Sequence, residues 1–406
     1  MNATDLREQL ASLRESGVAL RARDPGDVID ALAAVLDRWR DAESPERAQL
    51  ERELPAVAGF SPPNVKEGLA LALAAWDGNM LRAEVNQALP RRGSHGYDTT
   101  GVILGGSIPM PTLLSIVEPL ALRSAVLAKT ASRDPRTAHL VARSISAVDP
   151  ALGACVAVVD LPSADDETMD VFLEADLIVA TGSDETVDAV ERRVRPPRRV
   201  VKHGHRLSIA ALGTAAVGER LGRAARGIAL DTALWDQLGC LSPVVVFAPR
   251  ESCEEVGAAL AESLAQVERR LPRGTVAPDV EALHMHERSG AELRNAAGGT
   301  VVVHSGEGGA WTVIVEDSAT PRAMPLHRFL RVHPFDGSPG LHAALGPYLP
   351  HLAGAAVDGF PDDGFEFFEQ LARQGARICL PGELQTPPLY WSRDGVPLFS
   401  ALLRPE

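Results

Sequence analysis

The stretch GVILGGSIPMPTLLSIVEPLALRSAVLAKTASRDP, residues 101–135, decides the fold class. It passes from a short apolar run, GVILGG, through a helix-forming segment to a second apolar run, SAVLAKT. Short continuous runs of Val, Ile, Leu and Ala are typical of strands that are buried on both faces. A helix between two such strands forms a β-α-β unit with parallel strands. The stretch therefore predicts a parallel sheet covered by helices.

The same alternation continues on the carboxyl side of this stretch. Three more apolar runs, separated by amphipathic helical segments, are ACVAVVDL (154–161), DLIVATG (176–182) and RRVVKHGH (198–205). A helix over about 217–236 and a strand within LGCLSPVVVFAP (238–249) then begin a second α/β series, and residues 1–95 read as helices. We therefore expect an α/β protein in three parts, with boundaries at 1–206, 207–382 and an extended tail, 383–406.

Composition excludes several classes of protein. Of 406 residues, 45% are hydrophobic and 23% charged, which is typical of a globular chain. The net charge of −14 argues against a broad nucleic-acid surface. The longest strongly apolar stretch, residues 69–76, is much shorter than the roughly 18 residues of a membrane span. Since the amino terminus is polar and the four cysteines form no CxxC pair, we expect a cytoplasmic protein with reduced thiols.

One cysteine is placed differently from the others. Cys240 lies within DTALWDQLGCLSP (231–243), between a predicted helix and a predicted strand. A thiol at such a turn can project into an interdomain cleft, where backbone N–H groups can stabilise an oxyanion. Cys240 is therefore a candidate nucleophile, and the alternative is a small buried hydrophobic residue. Of the remaining cysteines, Cys155 and Cys379 lie in predicted strands and Cys253 begins a predicted helix.

Five short segments follow one another along the chain at wide separations. In order, they are LGGSIPMP, AKTASRDP, VATGSDET, KHGHRLS and DQLGCLSP. With PPLYWSRDGVPL in the tail, they resemble the acyl-CoA reductase family typified by the bioluminescence fatty-acid reductase subunit, within the aldehyde dehydrogenase-like superfamily. The resemblance runs from about residue 100 to the tail. It implies a helical amino-terminal region and a Rossmann-type dinucleotide-binding domain in 1–206, then a catalytic domain in 207–382.

The resemblance also implies a reaction. Cys240 attacks a fatty acyl thioester, either acyl-CoA or an acyl-carrier protein, and NADPH reduces the resulting acyl-enzyme to an aldehyde. Because the leaving group is itself a thiolate, this exchange needs little acid assistance. The backbone N–H of Cys240 is one oxyanion donor. Ser107 stands where the family carries an asparagine, so we expect it either to donate through its hydroxyl, with slower turnover, or only to shape the turn. A homo-oligomer is also implied.

Cofactor residues follow from the same resemblance. Lys129 matches the lysine that contacts the adenosine ribose, and Gly182 with Ser183 matches a Gly-Ser turn at a helix N-terminus, which suits a pyrophosphate. Ser132 replaces the acid that NAD-preferring relatives often carry, and Arg133 follows it. Without that carboxylate a ribose phosphate is not repelled, so we expect NADPH, with NADH as a second cofactor. The alternative places Arg133 on a solvated helix start.

Aldehyde dehydrogenases that hydrolyse their acyl-enzyme carry a general-base glutamate, and alignment places Lys202 or His203 near that position. An ammonium group cannot deprotonate water unless its pKa is strongly lowered. We therefore expect reduction to outcompete hydrolysis. His203 and His205, two residues apart on a predicted strand, are candidates for a base or proton donor. Since no third ligand accompanies them at a suitable spacing, we expect no metal site.

Two other functions remain open. One is an acyl-phosphate or semialdehyde reductase of the same superfamily, which would need converging arginines to bind a small anionic substrate. The other is a catalytically impaired scaffold that binds an acyl group or a partner protein. Ser107 motivates the scaffold hypothesis, and so does RDG at 393–395, where relatives usually have HDG.

Overall fold

The computed structural model describes residues 2–89, 94–395 and 399–404. Parts of the predicted amino-terminal region (1 and 90–93) and of the predicted tail (396–398 and 405–406) lie outside the described residues. The helices are α1 Ala3–Ala22, α2 Pro25–Arg40, α3 Pro45–Ala58, α4 Pro62–Ala74, α5 Gly78–Ala88, α6 Pro109–Ala121, α7 Thr137–Val148, α8 Pro150–Gly153, α9 Asp166–Phe172, α10 Asp184–Arg193, α11 Gly218–Ala233, α12 Cys253–Arg270, α13 Pro278–Ala296, α14 Gly337–Leu345 and α15 Asp362–Arg373.

The strands form two separate sheets. Their bounds are β1 Thr99–Ile103, β2 Ala125–Lys129, β3 Val156–Val159, β4 Leu177–Thr181, β5 Arg199–His203, β6 Leu207–Leu212, β7 Pro243–Pro249, β8 Val302–Ser305, β9 Thr312–Val315, β10 Phe329–Phe335, β11 Leu352–Asp358 and β12 Arg377–Cys379. The predicted α/β class, with a helical amino-terminal region, is confirmed.

The first sheet has the order β3-β2-β1-β4-β5, and all its strands are parallel. Every residue of β1 and β2 is buried, as their continuous apolar runs predict. From β1 the chain continues to β2 and β3 on one side of β1, and it then crosses to form β4 and β5 on the other side. Such a change of direction opens a crevice at the carboxyl ends of the strands, which is where open α/β sheets bind ligands.

The second sheet has the order β12-β11-β6-β7-β10-β9-β8 and is parallel except for β8 against β9. Central strands β7 and β10 are buried along their whole length. The antiparallel pair forms because only a short loop, residues 306–311, joins β8 to β9. A parallel connection would need a crossover of a dozen or more residues.

The tail crosses from the second sheet back to the amino-terminal helices. The amide N–H of Gly382 donates to buried Asp231, and the indole N–H of Trp76 donates to the carbonyl of Pro387 at 2.9 Å. Further on, Leu403 forms an antiparallel bridge with Gly96. These contacts fix the tail over the region between the two sheets. Within the described ranges, no helix is both long and apolar enough to cross a membrane.

Helix α11 ends at Ala233, three residues before the end predicted from the sequence. After Leu234, three successive residues have left-handed backbone angles. They are Trp235, Asp236 and Gln237, with φ of 56°, 47° and 64°. Each such residue costs on the order of 1–3 kcal/mol, so the surrounding structure must hold the turn. We call residues 235–237 the left-handed turn.

A second left-handed segment holds this turn. Arg328, itself at φ 68°, is buried and contacts the Asp236 carboxylate at 2.7 Å. The Gln237 side chain exchanges two hydrogen bonds with the backbone of Phe329. On the opposite side, Asn64 of α4 accepts from the amide N–H of Trp235 at 2.9 Å. The left-handed turn is thus clamped between α4 and the start of β10.

The Arg328–Asp236 pair can be tested through stability. Arg328→Met leaves Asp236 as a buried, uncompensated charge, and breaking such a pair typically costs about 3–5 kcal/mol. We expect that loss in the free energy of unfolding, measured by urea denaturation. Arg223→Met serves as the control, since its pair with Glu219 is exposed and should change the value by less than about 1 kcal/mol. Equal urea midpoints for the two variants would show that the Arg328–Asp236 pair does not stabilise the left-handed turn.

Candidate active site

Cys240 lies in a tight turn between the left-handed turn and β7. The amide N–H of Ser242 donates to the carbonyl of Gly239 at 2.9 Å, and the Ser208 hydroxyl donates to the carbonyl of Cys240 at 2.8 Å. These bonds hold the backbone, while the Cys240 residue is exposed. A Cβ atom added at Gly239 would lie 2.8 Å from the Ile108 side chain, so the turn packs closely against the amino end of α6.

The other three thiols are in poor environments for nucleophilic attack. Burial raises the pKa of Cys155 to about 11 and the pKa values of Cys253 and Cys379 to about 12. Cys155 and Cys253 are also fully packed, each with its sulfur 3.5 Å from a backbone carbonyl oxygen. Since the thiolate is the reactive species, these groups are inert near neutral pH. Exposure singles out Cys240 as the candidate nucleophile.

An apolar cavity of about 130 Å³ adjoins Cys240. Its walls come from three distant parts of the chain, namely α4 with the residues after it, α6, and the tail. Trp76, Leu114, Leu389 and Trp391 supply much of the apolar surface. A pocket lined mainly by hydrophobic and aromatic side chains, with few polar groups, is suited to an alkyl chain or another apolar ligand.

Ser107 is brought close to this turn. It is buried between β1 and α6, directly after Gly106, which has a φ of 82°. The next residue, Ile108, lines the cavity beside Cys240. The amino end of α6 therefore lies beside this region. Pro109 and Pro111 carry no N–H there, but the positive end of the helix dipole favours a thiolate or an oxyanion. Ser107 thus precedes a residue that packs beside Cys240 in the cavity, and its role as an oxyanion donor stays a prediction.

The predicted cofactor residues share the carboxyl edge of the first sheet. Lys129 is the last residue of β2, while Gly182 and Ser183 follow β4, and β1 lies between these two strands. A Cβ atom added at Gly105, just after β1, would lie 2.6 Å from the Thr181 carbonyl oxygen. The loops after β1 and β4 therefore meet closely at the crevice.

Lys129 has the environment that an anionic or hydroxyl-bearing ligand requires. Its side chain is buried and, among the described residues, no carboxylate forms an ion pair with it. Burial alone lowers the pKa of Lys129. A buried ammonium without a carboxylate beside it gains from a ligand that supplies hydrogen-bond acceptors. This residue therefore fits the ribose of a dinucleotide.

Arg133 does not lie at a helix start. Ala131 and Asp134 form an isolated bridge, and Ser132 and Arg133 occupy the exposed tip of the turn between them. Helix α7 begins later, at Thr137, where Asp134 accepts the backbone N–H groups of the first turn. The alternative of a solvated helix start is wrong at this position. The guanidinium instead stands on a tight turn that continues from β2 and Lys129.

Lys202 and the two histidines lie elsewhere. Lys202 is exposed and pairs with Glu191 at 2.7 Å on the outer face of α10, and this pairing raises its pKa. His203 ends β5, whereas His205 lies beyond the strand, exposed and 5.6 Å from the His351 ring. The premise that both histidines share one strand face is therefore wrong. None of the three lines the Cys240 cavity.

Two residues that the sequence argument missed also line the cavity. Gln385 donates to the Ser242 hydroxyl at 3.0 Å and to the carbonyl of Asp231 at 3.1 Å, so the tail supports the Cys240 turn directly. Glu118, on α6, is a buried carboxyl in the otherwise apolar wall. Both belong to elements far from Cys240 in sequence, and no local pattern marks them. Over the described ranges, no three His, Cys, Asp or Glu side chains cluster as metal ligands.

Comparison with solved structures defines the class of protein. The chain superposes on NADP-dependent glyceraldehyde-3-phosphate dehydrogenase from Bacillus halodurans, solved with NADP, with a TM-score of 0.77 and 12% identity over 99% of this chain and 90% of that one. An aldehyde dehydrogenase C mutant from Pseudomonas syringae, solved with NAD+ and octanal, gives 0.74 and 14% over 99% and 88%. The fold is therefore aldehyde dehydrogenase-like.

Sequence comparison identifies the family. The model of the family described as acyl-CoA reductase (LuxC) matches residues 21–404, and the chain belongs to this family. Two curated relatives are named long-chain acyl-protein thioester reductase. The Vibrio harveyi protein is 26% identical over 76% of this chain and 67% of its own length. The Photorhabdus laumondii protein is 25% identical over 91% and 79%. The predicted family is thus confirmed.

Thiol reactivity tests the assignment of Cys240. In the native protein near pH 8, we expect a single thiol to react rapidly with iodoacetamide, because Cys155 and Cys253 are buried, Cys379 is half-buried, and all three have raised pKa values. Peptide mass spectrometry should locate the label on Cys240. Cys240→Ala should abolish the fast phase, and Cys253→Ala should leave it intact. Rapid labelling of Cys155 or Cys379 in the folded chain would refute the assignment.

Proposed function

We propose that the protein reduces a fatty acyl thioester to an aldehyde, through an acyl-enzyme on Cys240 and with NADPH as the reductant. The observation that carries the proposal is the position of an exposed thiol at an apolar cavity in a chain of the acyl-CoA reductase family. Two relatives named as acyl-protein thioester reductases support a carrier-bound acyl group, with acyl-CoA as the other donor. We assign residues 1–206 to cofactor binding and 207–382 to catalysis.

Acylation follows from the groups around Cys240. The thiolate attacks the thioester carbonyl carbon, and the carbonyl oxygen becomes an oxyanion. The backbone N–H of Cys240 and the Ser107 hydroxyl are the proposed donors to this oxyanion. When the intermediate collapses, the bond to the carrier sulfur breaks and the carrier leaves as a thiolate. One thiolate replaces another, so no strong general acid is required.

The site is arranged to preserve the acyl-enzyme from water. Among the described residues that line the cavity, the only carboxylate is Glu118, about three turns along α6 from the Ile108 end. Lys202, near the position of the hydrolytic glutamate, pairs with α10 on the outer surface. A water molecule beside Cys240 would therefore lack an adjacent base. The acyl-enzyme then persists until it is reduced.

Cofactor binding is assigned to the carboxyl edge of the first sheet. Lys129 would contact the adenosine ribose, Gly182 and Ser183 the pyrophosphate, and Arg133 the ribose phosphate. A bound nicotinamide supplies the hydride that converts the acyl carbon to an aldehyde and releases Cys240 as a thiolate. The lack of an acid at Ser132 supports NADPH over NADH. A proton role for His203 stays a prediction from the sequence, and His205 is not proposed.

The cavity favours a thioester with an alkyl chain over an acyl phosphate. A small anionic substrate needs several converging cations, whereas Arg393 is the only cationic side chain among the described lining residues. The remaining walls are almost entirely apolar. Burial of each methylene of an alkyl chain in such walls contributes about 0.8 kcal/mol.

Intact-mass spectrometry tests the covalent step. After mixing with tetradecanoyl-CoA, we expect the protein mass to rise by one acyl group, because the Cys240 thioester lacks a neighbouring base that would hydrolyse it. Addition of NADPH should then remove the acyl group and release the aldehyde. Cys240→Ala should give no adduct. Ser107→Ala should slow adduct formation by about 10²–10³-fold, if its hydroxyl is an oxyanion donor.

The other outcomes separate the alternatives. An adduct that survives NADPH would indicate the impaired scaffold. NADPH consumption with an acyl phosphate but with no acyl thioester would indicate the semialdehyde-type reductase.

Cofactor preference is tested at Arg133. Arg133→Ala removes a cation from the proposed ribose-phosphate site, so kcat/KM for NADPH should fall by about 10-fold or more, the value of a charged hydrogen bond. The kcat/KM for NADH should hardly change. Arg136→Ala, an exposed arginine nearby that pairs with Glu53, serves as the matched control. An equal loss of kcat/KM for both cofactors would show that Arg133 does not contact the ribose phosphate.

A further inference from the structure

Glu118 lines the cavity near the carboxyl end of α6, whereas Ile108 lines it at the amino end of this helix. Ile108, Pro111, Leu114 and Glu118 all line the cavity, and their spacing places them along one face of α6 and its amino end. Ile108 packs against Gly239, beside Cys240. Ten residues separate Ile108 from Glu118, which corresponds to roughly 15 Å along the helix. A chain attached to Cys240 that follows α6 would therefore reach Glu118 with its distal part.

The Glu118 carboxyl lacks the partners that a buried acid normally has. The residue is only 5% exposed, and its Oε1 atom has no hydrogen-bond partner among the described residues. Arg393 acts on it through charge, yet burial outweighs this attraction and raises the pKa of Glu118 to about 7. A buried polar atom without a hydrogen bond is costly, and native proteins almost always satisfy such atoms.

A second buried group without a hydrogen-bond partner belongs to another residue of the cavity wall. The indole Nε1 of Trp391 is buried and has no hydrogen-bond partner among the described residues. Trp76, on the same wall, differs in this respect because its indole N–H donates to the carbonyl of Pro387 at 2.9 Å. Two residues of the cavity wall therefore carry one unpaired N–H donor and one unpaired carboxyl oxygen. Both observations indicate a ligand with a polar group in an otherwise apolar chain.

We propose that the acyl group accepted by this site carries a hydroxyl on its chain, and that Glu118 and Trp391 bind that hydroxyl. The proposal rests on the proposed acyl thioester reduction. A hydroxyl both donates and accepts, so it can donate to the Glu118 oxygen and accept from the Trp391 indole N–H. A plain alkyl chain would leave both groups unpaired. An ammonium or a carboxylate would be attracted by one of Glu118 and Arg393 and repelled by the other, and its burial among apolar walls would be costly, whereas a neutral hydroxyl avoids that cost.

Glu118 and Trp391 then select the substrate. A site that is built to hydrogen-bond a hydroxyl discriminates strongly against the analogue that lacks it, because its polar groups would otherwise stay buried and unpaired. An apolar wall, in contrast, discriminates only weakly between chains that differ by a methylene. The hydroxyl, rather than chain length alone, therefore determines which acyl group reacts fastest.

The test compares hydroxylated and plain substrates within each variant. A series of acyl-CoA thioesters carries the hydroxyl at successive chain positions, and each is measured against the unsubstituted acyl-CoA of the same length. For the wild type we expect a kcat/KM ratio of about 10 or more at the best position, because the unsubstituted chain leaves the buried carboxyl without a hydrogen bond. Glu118→Leu should bring the ratio to one or below. Glu118→Gln, whose amide also donates and accepts, should keep part of the preference.

The ratio is independent of how much of a variant is folded, because both substrates report on the same active molecules. The same pairs are then measured as N-acetylcysteamine thioesters, which lack most of the pantetheine arm, and the preference should persist. If Glu118→Leu lowered kcat/KM for every CoA thioester but for no N-acetylcysteamine thioester, Glu118 would interact with the pantetheine arm instead of the acyl chain. That result would overturn the proposal.

Two further outcomes separate this inference from the proposed function. If the wild type reduces plain and hydroxylated chains equally well, the hydroxyl preference is overturned while acyl thioester reduction stands. If no acyl thioester of either kind forms an adduct on Cys240, the proposed function itself fails.

Discussion

The buried ion pair between Arg328 and Asp236 is the interaction on which the site depends. The turn that leads to Cys240 contains three successive left-handed residues, a conformation that the local sequence does not favour. Arg328 compensates for this cost by binding Asp236 and the carbonyl of Ala233 at the end of α11. Because Arg328 comes from the segment before β10, the position of the nucleophile is set by residues about 90 positions away in sequence.

Elements from distant parts of the chain surround this turn. Helix α4 contacts the left-handed turn through Asn64 and through Gly68, where a Cβ atom would lie 2.4 Å from the Trp235 ring. The tail reaches the other side through Gln385. The amino-terminal helices and the tail are therefore walls of the Cys240 cavity as well as coverings of the sheets.

Charge and burial divide the site into two chemical regions. At the carboxyl edge of the first sheet, where we propose that the cofactor binds, Lys129 and Arg133 provide positive charge, although the whole chain is acidic. Around Cys240 the walls are mostly apolar, and the polar exceptions are Gln385, Glu118, Trp391 and Arg393, contributed by α6 and the tail. One region suits a charged, hydrophilic ligand and the other an alkyl chain. The thiol lies where a thioester carbonyl at the end of that chain would be placed.

The sequence by itself determined the α/β class, the parallel first sheet and the family, because apolar periodicity and short motifs are local properties, and it marked Cys240 as the candidate nucleophile. It misplaced the end of α11 and put His205 on a strand, since the left-handed turn and the end of β5 depend on distant hydrogen bonds. Glu118 reads in the sequence as one acid within a helix, and Gln385 as one residue of a polar tail. Only tertiary packing, which brings α4, α6 and residues 385–393 around one cavity, decided what these side chains face.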